Sequence, residues 1–248
     1  MNQNMFTTKL AAAIGLVAIS TLFLDGCFSD GCGGNAGNQA AEKVNNTAAV
    51  QPSREEIKSL SFSDRFKPIE PKMITESVFK LIGEDYAVLT AGTPSKYNSM
   101  VASWGGWGIL FNKPAAFSML RANRYTLELM RREQKYTMSF FDTEFKDDIT
   151  QFGLSSGRNS DEKMKKTKLT SVQTPSGNTV FKEAKLIVEC KLIQVTTVSP
   201  DDFLVEENKK FVVDAFAEAG EYHKMVVGEI TNVWIRQDKE QRGETSGP

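Results

Sequence analysis

The sequence predicts a mainly β protein, an antiparallel β-barrel with helices at its periphery. Several strand-length segments alternate between apolar and other residues with a period of two. Strands and helices do not alternate regularly, so a doubly wound parallel sheet is not expected. Sixteen Phe against five Tyr indicate an aromatic-rich core. At 248 residues, the chain has room for one large domain or two small ones.

Composition excludes several functions. The formal net charge of -1 gives no electrostatic reason to expect nucleic acid as a partner. Three Cys and one His are too few and too scattered for a zinc site, so no metal is expected. A Ser-His-Asp or Cys-His arrangement would have to use His223, which no nucleophile signature accompanies.

Residues 1–26 have the pattern of an export signal. Lys9 provides the positive region, and Leu10–Leu24 is an apolar run shorter than the roughly 20 residues that cross a membrane. The run ends at Leu24-Asp25-Gly26-Cys27, which resembles a bacterial lipobox with Cys27 as the lipid-modified residue, although Asp25 stands where a small uncharged residue is usual. The resemblance implies a lipid-anchored protein of a bacterial cell envelope. The alternatives are an ordinary signal peptide cut nearby or an uncleaved anchor.

Residues 27–61 are predicted to be a disordered tether. They are rich in Gly, Asn, Ala and Ser and contain few large apolar residues, so they bury too little surface to offset the entropy of ordering. Cys32 is either a spare thiol or, if Cys27 is not lipidated, its disulfide partner. The folded domain is predicted to span residues 62–238, and a polar tail follows at 239–248.

The first half of the domain is predicted to be strand-rich. A short helix is expected at Glu76–Ile82, and the β-rich Tyr86–Ala91 ends at a glycine. Asn98–Trp104 alternates as a strand, and Gly105–Gly108 is then expected to turn. A second turn at Asn112–Pro114 leads to the strand Ala115–Leu120.

The second half adds helices between strands. Asn123 is the predicted N-cap of a helix over Arg124–Glu133, because its short polar side chain can accept from free backbone N–H groups. The remaining predictions are strands at Tyr136–Phe141, Ala184–Val198 and Tyr222–Ile235, helices at Lys146–Phe152 and Asp161–Lys168, and a short helix or strand at Phe211–Ala217.

Asn98–Gly108 is a candidate platform for a flat ring. Small residues at the strand end, such as Ser99, Ala102 and Ser103, would let the backbone approach the edge of a ring. The alternative is a buried strand followed by a glycine turn, and spacing alone favours that alternative. The glycine cluster lacks the spacing of a dinucleotide-binding fingerprint.

Three further segments carry candidate binding residues. Arg121–Thr126 places two arginines at a helix start, which suits an anion, although a helix cap with solvated arginines explains it equally well. Ser155–Arg158, followed by Lys163, suits further phosphate contacts or is a solvated loop. His223 begins the last strand, where it is either a structural residue or a substrate contact.

Together these segments resemble the flavin reductase-like, flavoredoxin-type proteins. The resemblance spans roughly Ile74 to Ile235 and depends on the order of its motifs: Asn98–Gly106, Asn112-Lys113-Pro114, Arg121-x-x-Arg124-Tyr125-Thr126, Ser139-Phe140-Phe141, Ser156-Gly157-Arg158 with Lys163, and His223 with Gly228-Glu229-Ile230. It implies an FMN-binding split barrel, a Greek-key antiparallel β-barrel that forms a homodimer with FMN near the interface. Two features depart from the pattern. One is the export signal, and the other is Asn159 after Arg158, where an acidic residue is common.

The resemblance also implies residue roles. The flavin ring would contact Asn98, Ser99, Met100, Val101, Ala102, Ser103 and Trp104. The phosphate would contact Arg121, Asn123, Arg124 and Thr126, with Ser156, Gly157 and Lys163 assisting and with Tyr125 and Arg158 as further cofactor-binding candidates. His223 would lie where related reductases admit a nicotinamide.

The implied function is an oxidoreductase that passes hydride or electrons through FMN, from NAD(P)H or another donor to an unknown acceptor. Two alternatives are an FMN electron carrier without nicotinamide turnover and a flavin-free binding module of the cell envelope. Membrane contact is expected only through the lipid anchor.

Overall fold

The computed structural model describes residues 52–154, 156–216 and 222–237, without the side chains of residues 159–161. The predicted export signal, Cys27, most of the predicted tether and the polar tail lie outside the described residues.

Helix α1, Arg54–Ser59, shows that the folded domain begins earlier than residue 62. Ser53 and Glu56 form a reciprocal capping box, in which the Ser53 N–H donates to the Glu56 carboxylate at 2.7 Å. Ile57 is buried, and Arg54 forms an ion pair with Asp148 at 2.8 Å. The end of the predicted tether therefore belongs to the domain, because the domain supplies the apolar and charged partners that this short segment lacks by itself.

The remaining elements alternate between the sheet and peripheral helices. The strands are β1 Phe66–Ile69, β2 Ala87–Thr93, β3 Lys96–Ala102, β4 Gly105–Leu110, β5 Lys113–Leu120, β6 Lys135–Phe140, β7 Ser171–Gln173, β8 Thr179–Phe181, β9 Leu186–Thr197 and β10 Lys224–Arg236. The helices after α1 are α2 Phe62–Arg65, α3 Val78–Gly83, α4 Tyr125–Glu133, α5 Lys146–Leu154, α6 Ser160–Lys166 and α7 Glu206–Phe216.

The main sheet is antiparallel and curls on itself. Its strand order is β3-β2-β6-β9-β10-β5-β4, with β1 paired to β10. The end strands β3 and β4 are joined by Ser103 and Trp104 alone, so Ala102 and Gly105 lie within about 11 Å of each other. The two edge strands therefore come together at this connection and close the sheet into a barrel. Because β3 and β4 are not paired with each other, the barrel is split between them. The predicted fold class, a mainly antiparallel barrel with peripheral helices, is confirmed.

The barrel wall is buried on both faces along part of its circumference. Leu89 and Val188 belong to the cluster inside the barrel, whereas their neighbours Val88 and Ile187 belong to a second cluster. Residues of α5 and of the β7–β8 hairpin complete that second cluster on the outer face. Strands β2 and β9 are therefore apolar at consecutive positions.

The glycine cluster forms a strand, so the predicted turn at Gly105–Gly108 is wrong. Gly106 is needed for packing, because a Cβ there would lie 2.8 Å from the Phe117 ring. The chain reverses instead at Phe111 and Asn112, whose φ angles of 50° and 61° suit a two-residue hairpin turn. The predicted turn at Asn112–Pro114 is thus one residue late.

Helix α4 begins one residue later than predicted. Arg124, and not Asn123, is its N-cap residue, and the Arg124 side chain makes no capping hydrogen bond. The ambiguous segment near Phe211 is helical and forms the end of α7. None of the helices in the described ranges is both long and apolar enough to cross a membrane.

Candidate functional site

A cleft of about 210 Å³ opens beside the connection between β3 and β4. The end of β3 and the Ser103–Trp104 connection form one wall, and the end of β5 with the turn before α4 forms the other. Phe216 of α7 and His223 complete the cleft. Its lining residues are Met100, Val101, Ala102, Ser103, Trp104, Met119, Leu120, Arg121, Arg124, Phe216 and His223.

His223 lies between two aromatic rings in this cleft. Its imidazole centroid is 5.1 Å from the nearest Trp104 ring centroid and 4.5 Å from that of Phe216, and the Phe216 contact is edge-to-face. Partial burial lowers the pKa of His223, and the charges of Arg121 and Arg124 lower it further. These effects favour the neutral imidazole, which can both donate and accept a hydrogen bond.

The cleft is cationic on its other side, where Arg121 and Arg124 line it. Lys163 does not line the cleft but is close enough to Arg124 to be affected by its charge. Arg121 and Arg124 border the tight turn before α4, where the Arg124 N–H donates to the Arg121 carbonyl at 3.2 Å. Lys163 of α6 is only 3% exposed, although a lysine is rarely buried without a partner. Burial, and the charge of Arg124, lower the pKa of Lys163 from its ordinary 10.5 to about 8.

These cations are not neutralised within the part of the chain that the structure describes. None of the carboxylates there forms an ion pair with Arg121, Arg124 or Lys163. A buried ammonium ion beside a guanidinium group is unfavourable in an isolated protein. An anion bound among the three would remove that cost and would accept several charge-assisted hydrogen bonds.

Three segments that flank the cleft converge on the Asn98 side chain. The Asn98 amide nitrogen donates to the Thr126 hydroxyl at 2.7 Å, and both residues are buried. Gly157 lies against the same amide, since a Cβ on this glycine would be 2.5 Å from the Asn98 nitrogen. Strand β3, the first turn of α4 and the short 3-10 turn Gly157–Asn159 are therefore fixed together.

Other predicted site residues lie away from the cleft. Ser99 is buried and hydrogen-bonds the Thr90 hydroxyl at 2.8 Å, and Asn123 is exposed. Arg158 forms an ion pair with Glu128 and lies over the Tyr125 ring at 5.8 Å, so its charge is already compensated. The exposed Ser156 accepts from the Arg158 N–H at 3.3 Å.

Sequence reasoning missed three lining residues. Met119 and Leu120 could have been found, because they directly precede Arg121 on a predicted strand. Phe216 gave no signal, since it lies seven residues before His223 and joins the site only through the docking of α7. The described residues contain no group of three or more His, Cys, Asp or Glu side chains arranged to hold a metal ion.

The site combines a cationic pocket with an aromatic, partly flat wall. Such an arrangement suits a molecule with a planar ring at one end and an anionic group at the other. The cations on this side are Arg121 and Arg124, which line the cleft, and the nearby Lys163. Trp104, His223 and the backbone of Met100–Ser103 remain for the ring.

The family model described as the flavin reductase like domain matches residues 79–245, about two-thirds of the chain. The matched segment contains both walls of the cleft, all three cations and His223. The chain belongs to this family.

Solved structures give more distant likenesses. The FMN-binding protein from Thermus thermophilus with bound p-hydroxybenzaldehyde is 18% identical, with a TM-score of 0.47 over 63% of this chain and 72% of that one. The flavoredoxin of Desulfovibrio vulgaris is 18% identical, with a TM-score of 0.47 over 70% and 78%. The FMN-binding domain of a flavin reductases-like enzyme from Shewanella baltica is 13% identical, with a TM-score of 0.49 over 68% and 76%. Because these values are low, the family assignment rests on the sequence match. A comparison with curated proteins finds no significant match.

Proposed function

We propose that this chain is an FMN-binding oxidoreductase that uses the cleft between β3 and α4. The observation that carries the proposal is the group of Arg121, Arg124 and the buried Lys163, which has no carboxylate partner among the described residues. A buried lysine near two exposed arginines favours an anion of high charge, and the phosphate of FMN is one. Membership of the flavin reductase like domain family supports the same cofactor.

The residues present fit FMN at both ends. Arg121 and Arg124 can each donate two parallel hydrogen bonds to phosphate oxygens, and Lys163 adds a positive charge nearby. The strand end at Ala102 and Ser103 is free of bulky side chains, so the backbone can approach the edge of a ring. FMN, when bound, supplies the redox chemistry, because it accepts and passes on a hydride or single electrons.

The role of the chain in the reaction is to bind, orient and exclude water. Trp104 and Phe216 pack against His223 at the cleft. Burial, and then the charges of Arg121 and Arg124, lower the pKa of His223 and so favour its neutral form. A neutral imidazole can donate a hydrogen bond to the carboxamide of NAD(P)H without repelling a nicotinamide ring that becomes positive. We therefore assign His223 as a nicotinamide contact and NAD(P)H as the hydride donor.

The first test is the absorbance spectrum of the purified protein, before and after incubation with FMN. The proposal predicts a bound-flavin spectrum, and a colourless protein that takes up no FMN would overturn it. Anaerobic mixing with NADH and NADPH then separates two functions. Rapid bleaching of the flavin absorbance indicates a reductase, whereas stable FMN without bleaching indicates the electron carrier that an exported protein would favour.

Matched variants separate a cofactor site from a flavin-free binding module. Arg121→Ala and Arg124→Ala each remove one phosphate donor, so each is expected to weaken FMN binding about tenfold or more. Arg131→Ala is the control, because Arg131 is an exposed arginine in the last turn of α4, away from the cleft. Equal FMN affinity in all three variants would contradict the assigned phosphate site.

A homodimer is also proposed, supported by an exposed apolar face on the barrel. Ile109 and Phe111 of the β4–β5 hairpin are 73% and 81% exposed, and Phe117 and Ile193 lie partly exposed nearby. Large contiguous apolar patches on a soluble protein are typical of interfaces. Strand β5 carries both this face and the cleft wall at Met119, so a partner bound there would lie near the cofactor.

The dimer is tested by measuring the solution mass of the protein with and without Phe111→Glu. The proposal predicts that the wild-type protein is a dimer and that this substitution gives a monomer. Phe79→Glu is the control, because Phe79 is 86% exposed but lies on α3. A wild-type monomer with bound FMN would refute the proposed interface.

Export and lipid attachment at Cys27 remain proposals from the sequence. Metabolic labelling with a fatty acid tests them, because Cys27→Ser is expected to abolish the label while Cys32→Ser keeps it. A label that persists in Cys27→Ser would reject the lipobox interpretation.

A further inference from the structure

Asn98 is the point at which three segments of the cleft are fixed to one another. It lies on β3, its side chain is only 2% exposed, and its amide nitrogen donates to the Thr126 hydroxyl at 2.7 Å. Thr126 is fully buried in the first turn of α4, two residues after Arg124. This one hydrogen bond therefore ties the strand that forms the ring wall to the helix that follows both arginines.

Gly157 makes the second connection. A Cβ at this position would lie 2.5 Å from the Asn98 amide nitrogen and 2.9 Å from its oxygen, so only glycine allows the turn to rest on the amide. The turn continues directly into α6, which carries Lys163 and packs against β3. Asn98 therefore contacts both the turn that leads into α6 and the first turn of the helix that follows Arg124.

The burial of Asn98 outside the lining of the cleft indicates a support and not a ligand contact. Its oxygen has no hydrogen-bond partner among the described residues, and the whole amide group lies against Gly157. One N–H of the amide nitrogen donates to the Thr126 hydroxyl. Neither half of the amide lines the cleft, whose β3 wall begins at Met100.

We propose that Asn98 is a positioning residue that, with Thr126 and Gly157, holds α6 against β3 and so fixes the place of Lys163 relative to Arg124. Asn98 thus acts through these cations without touching the bound molecule. The identity of the anion as the phosphate of FMN rests on the proposed function. The positioning of Lys163 does not, so the two can be tested separately.

The first experiment measures Lys163 in the full-length, FMN-free protein. Limited acetylation followed by peptide mass spectrometry gives the reaction rate of each lysine. Asn98→Ala and the nearly isosteric Thr126→Val remove the same hydrogen bond, so each is expected to speed Lys163 acetylation about fivefold, the effect of one net hydrogen bond. The double variant is expected to match either single one, because both remove one shared interaction.

Three controls make this result specific. Thr90→Val removes the neighbouring buried hydrogen bond to Ser99 on the same strand and is expected to leave Lys163 unchanged. Thr126→Ser keeps the hydroxyl and should behave as the wild type. Lys165, exposed on the same helix, should react at one rate in every variant. Unchanged Lys163 acetylation in Asn98→Ala and Thr126→Val, or an equal rise in Thr90→Val, would overturn the proposal.

The second experiment compares FMN with riboflavin, which has the ring but no phosphate. Asn98→Ala and Thr126→Val are expected to weaken FMN binding about fivefold and to leave riboflavin binding unchanged. An equal loss for both ligands in Asn98→Ala, with no loss in Thr126→Val, would show direct ring contact and refute the positioning role. A wild-type protein that binds neither ligand would reject the proposed function, while the acetylation rates would still decide the role of Asn98.

Discussion

Replacing Lys163 with Met is expected to stabilise the FMN-free protein and to weaken FMN binding. The ammonium group is buried beside Arg124, and its pKa is lowered from 10.5 to about 8. At 1.36 kcal/mol per unit, this lowering corresponds to an unfavourable contribution of roughly 3 kcal/mol at neutral pH. Met fills a similar volume without a charge, so it removes the cost. Loss of a charge-assisted bond to phosphate is expected to reduce FMN affinity about 10- to 100-fold.

The pH dependence gives this prediction a definite sign. Between pH 8 and 10.5 the unfolded chain holds a proton on Lys163 that the folded protein has lost, so the stability of the wild type rises with pH in this window. Below pH 8 both states hold the proton, so the buried charge lowers the stability of the folded protein by its full amount. The advantage of Lys163→Met should therefore be largest at pH 7 and should shrink as the pH approaches 10.5.

The assay is chemical denaturation of the FMN-free protein at pH 7 and near pH 10, together with FMN titration at pH 7. Lys165→Met is the control, because Lys165 is exposed on the same helix. A Lys163→Met protein that is less stable than the wild type by the same amount at both pH values would refute the reasoning. So would unchanged FMN affinity, because Lys163 would then be a structural residue.

Three further predictions follow from single contacts. Gly228→Ala should lower the free energy of unfolding by about 1–3 kcal/mol, because its Cβ would lie 2.7 Å from the Tyr136 hydroxyl. Gly108→Ala is the control: its Cβ would have no neighbour within 4 Å, so it should be nearly neutral in the same denaturation assay. Ile57→Ala should cost about 2 kcal/mol, and unchanged stability would mean that α1 is not docked. His223 is the only histidine in the sequence, so its pKa can be measured by NMR in untagged, FMN-free protein, and it should lie below 6.5. Arg121→Ala should raise that pKa. An unchanged pKa would exclude the charge of Arg121 as a cause of the lowering.

Much of the fold could be predicted because its pattern is local. The alternation of Ala184–Val198 predicts a strand, and β9 forms there over Leu186–Thr197. The strand at Gly105–Gly108 could not be predicted from a local pattern. Gly106 makes room for the Phe117 ring, and that contact depends on strand pairing, whereas the sequence shows only residues typical of a turn.

The sequence predicts the candidate site as a set of motifs in a given order, but it does not predict how their side chains are arranged in space. The two arginines before α4 were found because they share one short segment. Arg158 looked equally suitable, yet Glu128 neutralises it across 30 positions of sequence. The burial of Lys163 and the support role of Asn98 arise only when α6 packs on β3, so no local pattern could distinguish them from exposed or ring-contacting residues.

The start of the domain also could not be predicted from a local pattern. Arg54–Ser59 is polar and short, which is typical of a tether, and only Ile57 among its residues is buried. Its helix forms because Ser53 caps it and because Asp148, far along the chain, accepts from Arg54.

The most direct test of the central claim is a calorimetric titration of the full-length, flavin-free protein with FMN and with riboflavin. If Arg121, Arg124 and Lys163 hold the phosphate, FMN should bind about 100-fold or more tightly than riboflavin, given the strength of hydrogen bonds between charged groups. The difference should fall sharply in Lys163→Met. Equal affinity for the two molecules, or no binding of either, would contradict the assignment of this cleft as an FMN site.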